Sequence, residues 1–98
     1  MSDFYDPNGN MITLIDWVNI WKKTDRVVAK TTLTNGIVVS TVYLGVNHRW
    51  GAGPPLIYET MTFGPDEMDM ERYSTRAEAE AGHAEMVAKW EIDPPGEG

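Results

Sequence analysis

Apolar residues fall at helical spacing in two stretches of the chain, and between these the pattern is that of strands. Leu14, Trp17, Val18 and Trp21 recur at i, i+3, i+4 and i+7, with Asp16, Asn19, Lys22 and Lys23 between them. Thr13 can cap the start, and Asp16 lies in the first turn, where a carboxylate favours the helix dipole. The spacing predicts a short amphipathic helix over about 13–23. Ile12, Ile15 and Ile20 widen its apolar face, so a strand is the alternative there. Near the other end, Ala79, Gly82, His83, Met86 and Trp90 mark one face of a second helix over about 75–90. Thr75 followed by Glu78 forms a capping box at its start, and Pro94 and Pro95 lie beyond its end.

Residues 26–44 are dominated by β-branched side chains, which favour strands. Asn35-Gly36 sits in their middle and suits the two-residue type I′ turn of a hairpin. Such a turn would set Thr31 opposite Ser40, Leu33 opposite Val38, Ala29 opposite Val42 and Val27 opposite Leu44. These pairs make one face, apolar apart from Thr31 and Ser40, which is the expected core face. Residues 56–63 read as a third strand, with Ile57, Glu59, Met61 and Phe63 on its more apolar side. That side would place Glu59 among core residues; the alternative is that Tyr58 and Thr60 are buried and Glu59 is in water. Glu71-Arg72-Tyr73 offers a short fourth strand. The expected fold class is α+β: a small antiparallel sheet of three to four strands, the second helix packed on one face and the first beside it or at an edge.

Composition narrows the picture. Ninety-eight residues suit a single domain, with polar residues 1–10 and the DPPGEG run at 93–98 expected to be flexible ends. The formal net charge is −7, with eight basic residues scattered among fifteen acidic ones, so nucleic-acid binding is not expected. The chain has no Cys, which excludes disulfides, a thiol nucleophile and Cys-ligated metal. His48 and His83 are the only imidazoles, and neither lies in a zinc-binding spacing. Asp66, Glu67, Asp69 and Glu71 are carboxylates without the calcium-loop pattern. No metal or cofactor is therefore expected. No signal peptide or membrane-length apolar run is visible, and the expected location is a cytoplasm.

The segment Gly45–Pro55, GVNHRWGAGPP, is the candidate site. Asn47, His48, Arg49 and Trp50 set an amide, an imidazole, a guanidinium and an indole side by side. Trp50 with Tyr43 could stack on a base, and Arg49 could pair with an anion. The competing reading is a rigid loop with Trp50 folded onto the core. Glu59, if buried, would need a partner, and His83 with Thr31 or Ser40 would then outline a Ser–His–Glu set. No nucleophile-elbow motif surrounds Ser40, so a structural network is the preferred reading and an enzyme the last of three. Trp17 and Trp21 pack in the core or anchor a homodimer.

Two stretches, Val39–Met61 (VSTVYLGVNHRWGAGPPLIYETM) and Glu71–His83 (ERYSTRAEAEAGH), resemble a family of small uncharacterised proteins of actinobacterial bacteriophages and prophages. The resemblance extends over about 14–90. It carries no established activity or site residues. It implies a phage origin, hence action in a host bacterial cytoplasm or assembly in a virion. The expected function is that of a small accessory binding protein. It would hold a host protein or a small anionic, nucleotide-like ligand at the 45–55 loop, as in counter-defence. A structural or oligomerising phage protein is the alternative.

Overall fold

The β-branched run after Arg26 forms a hairpin, but not with the two-residue turn its Asn-Gly suggests. The computed structural model describes residues 3–23, 26–49, 51–64 and 69–91. Strands β3 (Val27–Thr32) and β4 (Val38–Tyr43) flank a turn closed by Gly36 N–H to Leu33 O (2.9 Å) and Leu33 N–H to Ile37 O (2.8 Å). Gly36 has φ +90°, whereas Asn35 does not adopt a positive φ. A type I′ turn needs both, so the loop is instead the three residues Thr34-Asn35-Gly36. The extra residue changes the register. Thr31 pairs with Val39, Lys30 with Ser40 and Ala29 with Thr41, and a bulge before Ala29 brings Val27 opposite Val42.

Shifting a partner by one residue turns its whole side-chain set to the other face. The expected core face of β4, with Val38, Ser40 and Val42, therefore faces outward, and Val39, Thr41 and Tyr43 are buried. Strand β5 (Tyr58–Phe63) pairs with β4 and follows suit: Tyr58, Thr60 and Thr62 are buried. Glu59, Met61 and Phe63 lie on the outer side, so Glu59 is not a core residue. Strand β6 (Met70–Tyr73) completes an antiparallel sheet in the order β3-β4-β5-β6. The α+β class and the four-stranded sheet stand as read from the sequence.

Helix α2 (Arg76–Glu91) crosses all four strands and buries Ala79, Gly82, His83 and Met86 against them. Its start is the expected capping box: Glu78 N–H reaches Thr75 Oγ1, while Glu78 Oε1 accepts from Ser74 and Thr75 N–H. Two apolar clusters lie beneath it. One holds Tyr43, Ile57, Tyr58 and Ala79; the other holds Leu33, Val39 and Met86. Each fully buried aliphatic chain such as Val39 or Ile57 contributes roughly 1.5–3 kcal/mol.

Within the polar residues 1–10, expected to be a flexible end, residues 3–10 contribute one strand and the turn of a second small sheet. Strands β1 (Phe4–Tyr5) and β2 (Met11–Ile12) form a hairpin. The Asp6 carboxylate accepts from the backbone of Asn8 and Asn10 across its turn. Burial pushes this carboxyl up, but the hydrogen bonds from Asn10, Asn8 and Gly9 outweigh it and hold the group below its ordinary value. Two tyrosines of the main sheet clamp the hairpin: Tyr43 donates to Tyr5 O (2.5 Å) and Tyr58 to Pro7 O (2.6 Å).

Helix α1 (Leu14–Lys23) begins at the predicted Thr13 cap, whose Oγ1 accepts from Asp16 N–H. It is a helix, not the alternative strand. Trp17 and Trp21 pack with ring centroids 4.8 Å apart, tilted by 46°, and both donate their indole N–H to Leu44 O. Gly45, at φ +78°, has Trp17 and Tyr43 filling the place where a Cβ would stand. The predicted end at 93–98 and the acidic residues Asp66 and Glu67 lie outside the described residues.

Candidate functional site

The 45–55 loop is built by its own side chains. Asn47 Oδ1 accepts from Arg49 N–H (2.9 Å) and from Leu56 N–H (3.0 Å), which ties the two ends of the loop together. Arg49 Nε donates to Pro54 O, and its chain lies against Gly53, which at φ +127° leaves the space open. His48 is exposed, with its backbone N–H on Leu56 O. Asn47 and Arg49 thus serve the loop's own geometry. Tyr43 is buried at 3% exposure beneath Tyr5, so its ring is not a platform for a ligand. Burial, with the nearby Asp6 charge, pushes its phenol up to about 12. Trp50 lies outside the described residues.

Glu59 stands on the outer face of the sheet, opposite Arg72 on β6, and the two form an ion pair at 3.1 Å. His83 lies under α2 on the other face. The sheet separates it from Glu59 and Ser40, so the outlined Ser–His–Glu set is not assembled. His83 joins a different network. Its Nε2 is 2.9 Å from Thr31 Oγ1 and its Nδ1 is 2.7 Å from Thr41 Oγ1. Thr41 in turn meets Thr60 at 2.5 Å, and Thr60 hydrogen-bonds the Tyr73 hydroxyl. With the Thr60 proton given to Tyr73, Thr41 donates to Thr60. His83 Nδ1–H then donates to Thr41, and Nε2 accepts from Thr31. This order uses a neutral imidazole, in keeping with burial, which lowers the His83 pKa. Thr41 and Thr60 are fully buried, so each hydroxyl needs its partner. The band has the form of a structural network separating the two apolar clusters.

This network has a consequence for the other side of the sheet. In most one-sided antiparallel sheets the apolar side chains face the covering layer and the polar ones face water. Here the covered face holds Thr31, Thr41, Thr60 and Thr62 among the apolar Leu33, Val39, Tyr43 and Tyr58. The face turned from α2 holds Val27, Val38, Val42, Met61, Phe63 and Met70. Among the described residues no other helix or strand packs across it. Phe63 is 49% exposed and Met70 42%. Ser40, Val42, Glu59, Met61 and Phe63 line a shallow hollow of about 60 Å³. Among the described residues the charges on this face are Lys30 and the Glu59–Arg72 pair, in a chain whose net charge is −7.

Two other concavities carry charged groups, and in each a carboxylate has its partners within the chain. One, of about 410 Å³, lies between the N-terminal hairpin and α1, with Asp6, Asp16 and Lys23 on its walls. The Asp6 carboxylate there is already taken by its own turn. The other, of about 270 Å³, lies between β6 and α2, where Asp69 is bound by Lys89 at 2.6 Å. No group of three metal-binding side chains comes together among the described residues, and no described helix is long and apolar enough to cross a membrane.

Of the candidate residues singled out in the sequence, Glu59 and Ser40 belong to the outer face. Val42, Met61, Phe63 and Met70 were missed as surface groups. The alternation of Val42, Met61 and Phe63 pointed to the core, and Met70 lies in a segment that reads as an acidic loop. Compared with protein-family models, with curated proteins and with solved structures, the chain matches none of them.

Proposed function

We propose that this chain is a small accessory binding protein that docks a protein partner on the outer face of its four-stranded sheet. The observation that carries the reading is the apolar content of the outer face: valine, methionine and phenylalanine side chains face outward there with no helix or strand across them among the described residues. Exposed apolar surface of this kind is stabilised when another surface covers it. The hollow of about 60 Å³ is far smaller than the roughly 300 Å³ and upward of small-molecule sites. The acidic charge disfavours nucleic acid. A protein surface is the remaining class. The resemblance of Val39–Met61 and Glu71–His83 to actinobacterial phage proteins supports a role during infection of a bacterial host.

Native mass spectrometry of the protein recovered from such a host tests the reading, with Phe63→Lys and Arg49→Ala variants beside the wild type. A protein partner retained by wild type and Arg49→Ala but lost from Phe63→Lys is the expected result. A partner or small molecule lost from Arg49→Ala and retained by Phe63→Lys would return the site to the 45–55 loop.

A further inference from the structure

We infer that Asn8-Gly9 is a site of spontaneous covalent modification, where the chain converts its own side-chain amide to an aspartyl or isoaspartyl link, and that the fold shields the second Asn-Gly pair, Asn35-Gly36, from the same reaction.

The reaction needs only these two residue types and water. The glycine nitrogen attacks the asparagine Cγ, and the new N–Cγ bond closes a succinimide ring. The Cγ–Nδ2 bond breaks, and ammonia leaves with the proton lost from the glycine nitrogen. Water then opens the ring at either carbonyl, giving aspartate or isoaspartate. Glycine favours the attack because no Cβ stands beside its nitrogen. Of the chain's asparagines, only Asn8 and Asn35 precede glycine; Asn10, Asn19 and Asn47 are followed by Met11, Ile20 and His48.

The two pairs are closely matched in their backbone. Gly9 has φ +88° and Gly36 φ +90°, and no heavy atom lies within 4 Å of where either Cβ would stand. Gly9 N–H donates to Asp6 O and Gly36 N–H to Leu33 O, each at 2.9 Å. Both asparagines are exposed. Their side chains differ. Asn35 Oδ1 accepts from Ile37 N–H at 3.0 Å and its Nδ2 donates to Trp90 O at 2.9 Å. Turning that amide carbon toward Gly36 N breaks both bonds. Asn8 is held only by its backbone N–H, which donates to the Asp6 carboxylate at 2.9 Å. Among the described residues its side-chain amide has no hydrogen-bond partner, so it passes freely between rotamers, including those that present Cγ to Gly9 N.

Conversion of Asn8 adds a carboxylate to a chain of net charge −7. The isoaspartyl form also lengthens the main chain by one methylene inside the β1–β2 turn. Asp6 N–H donates to Asn10 O across that turn at 2.8 Å, so its closure is altered.

Peptide mapping by mass spectrometry tests this on the purified full chain, held folded in warm, mildly alkaline buffer and sampled over days. A parallel sample is held unfolded in guanidinium chloride. In the folded chain Asn8 is expected to convert faster than Asn35 by roughly tenfold or more, the factor that two ordinary hydrogen bonds impose on a rate. In the denaturant the two are expected to convert at similar rates. Asn8→Gln, whose longer side chain closes a ring far more slowly, is expected to lose most of the acidic variant that ion exchange resolves from the folded wild type. Equal rates in the folded chain, or a gap of the same size in denaturant, overturn the shielding of Asn35. An Asn8 that stays intact in the folded chain while converting in denaturant overturns the site, as does an acidic variant that persists undiminished in Asn8→Gln.

Discussion

The side-chain amide of Asn35 donates to the backbone carbonyl of Trp90 at 2.9 Å. The same side chain accepts from Ile37 N–H at 3.0 Å, so one residue shapes the β3–β4 turn and caps the last turn of α2. On the other side of that helix end, Asp69 takes Lys89 Nζ and Trp90 Nε1. The hydrogen bond from Lys89 is the main reason the Asp69 carboxyl sits below its ordinary value. The end of α2 is held from two loops of the sheet. Replacing Asn35 by Ala removes both of its hydrogen bonds and is expected to cost about 1–2 kcal/mol. Urea unfolding checks this, and a loss below a few tenths of a kcal/mol would show that the cap contributes little.

The threonine band is expected to be cooperative. Thr41→Val leaves His83 Nδ1–H without an acceptor and Thr60, which keeps its bond to Tyr73, without a donor, in a site shut off from water. A loss of about 1–3 kcal/mol is expected. Thr41→Val with Thr60→Val should cost less than the two single changes summed, because both single changes break the same Thr41–Thr60 bond. Simple additivity in a double-mutant cycle would argue against a connected network.

His83 makes stability depend on pH with a defined sign. Its pKa is lowered by burial in the folded chain, so near its ordinary value of about 6.5 the unfolded chain binds more protons. The full contribution is present above about pH 6.5 and is lost as pH falls through the lower folded value. Urea midpoints measured between about pH 8 and 5 should fall on acidification while staying clear of most carboxylate titration. His83→Gln should be less stable overall but flatter across the same range. An equal slope in both proteins would assign the dependence to other groups.

Gly82 sits in α2 where alanine would ordinarily favour the helix by about 1 kcal/mol. Here the Tyr73 ring occupies the space a Cβ would need. Gly82→Ala is therefore expected to destabilise by about 1–3 kcal/mol as ring and helix are forced apart. Thermal unfolding beside Ala81→Gly, an exposed neighbour expected to lose only about the propensity term, separates packing from helix preference. A stabilised Gly82→Ala would mean that the ring moves aside freely.

The N-terminal hairpin is held to the main sheet by phenols. Tyr43→Phe and Tyr58→Phe each delete one hydrogen bond to its backbone, and each is expected to cost about 1 kcal/mol. Tyr43 in the wild type should begin to ionise only toward about pH 12 in an ultraviolet titration. A Tyr43 phenol that titrates near 10 would mean that the hairpin stands open.

Local signals in the sequence were sufficient for the two helices and the four strands of the main sheet, though not for the short β1–β2 hairpin. The Thr13 cap, the Thr75–Glu78 box and the β-branched runs act within a few residues of themselves, and each produced the expected helix or strand. The loop chemistry of Asn47 and Arg49 was visible too, but its use was not. Whether those groups face a ligand or their own backbone depends on where Leu56 and Pro54 return to meet them. The faces of the sheet were decided by tertiary structure. Alternation told which side chains share a face, and the more apolar set around Val42, Met61 and Phe63 was the natural core. One extra residue in the Asn35 turn set β4 a step out of that register. His83, some fifty residues away in sequence, then satisfied Thr31 and Thr41 at once. Buried hydroxyls are tolerated only when paired. No local window contains that pairing, so the sequence determined the strands, and the packing of α2 determined which of their faces meets the outside.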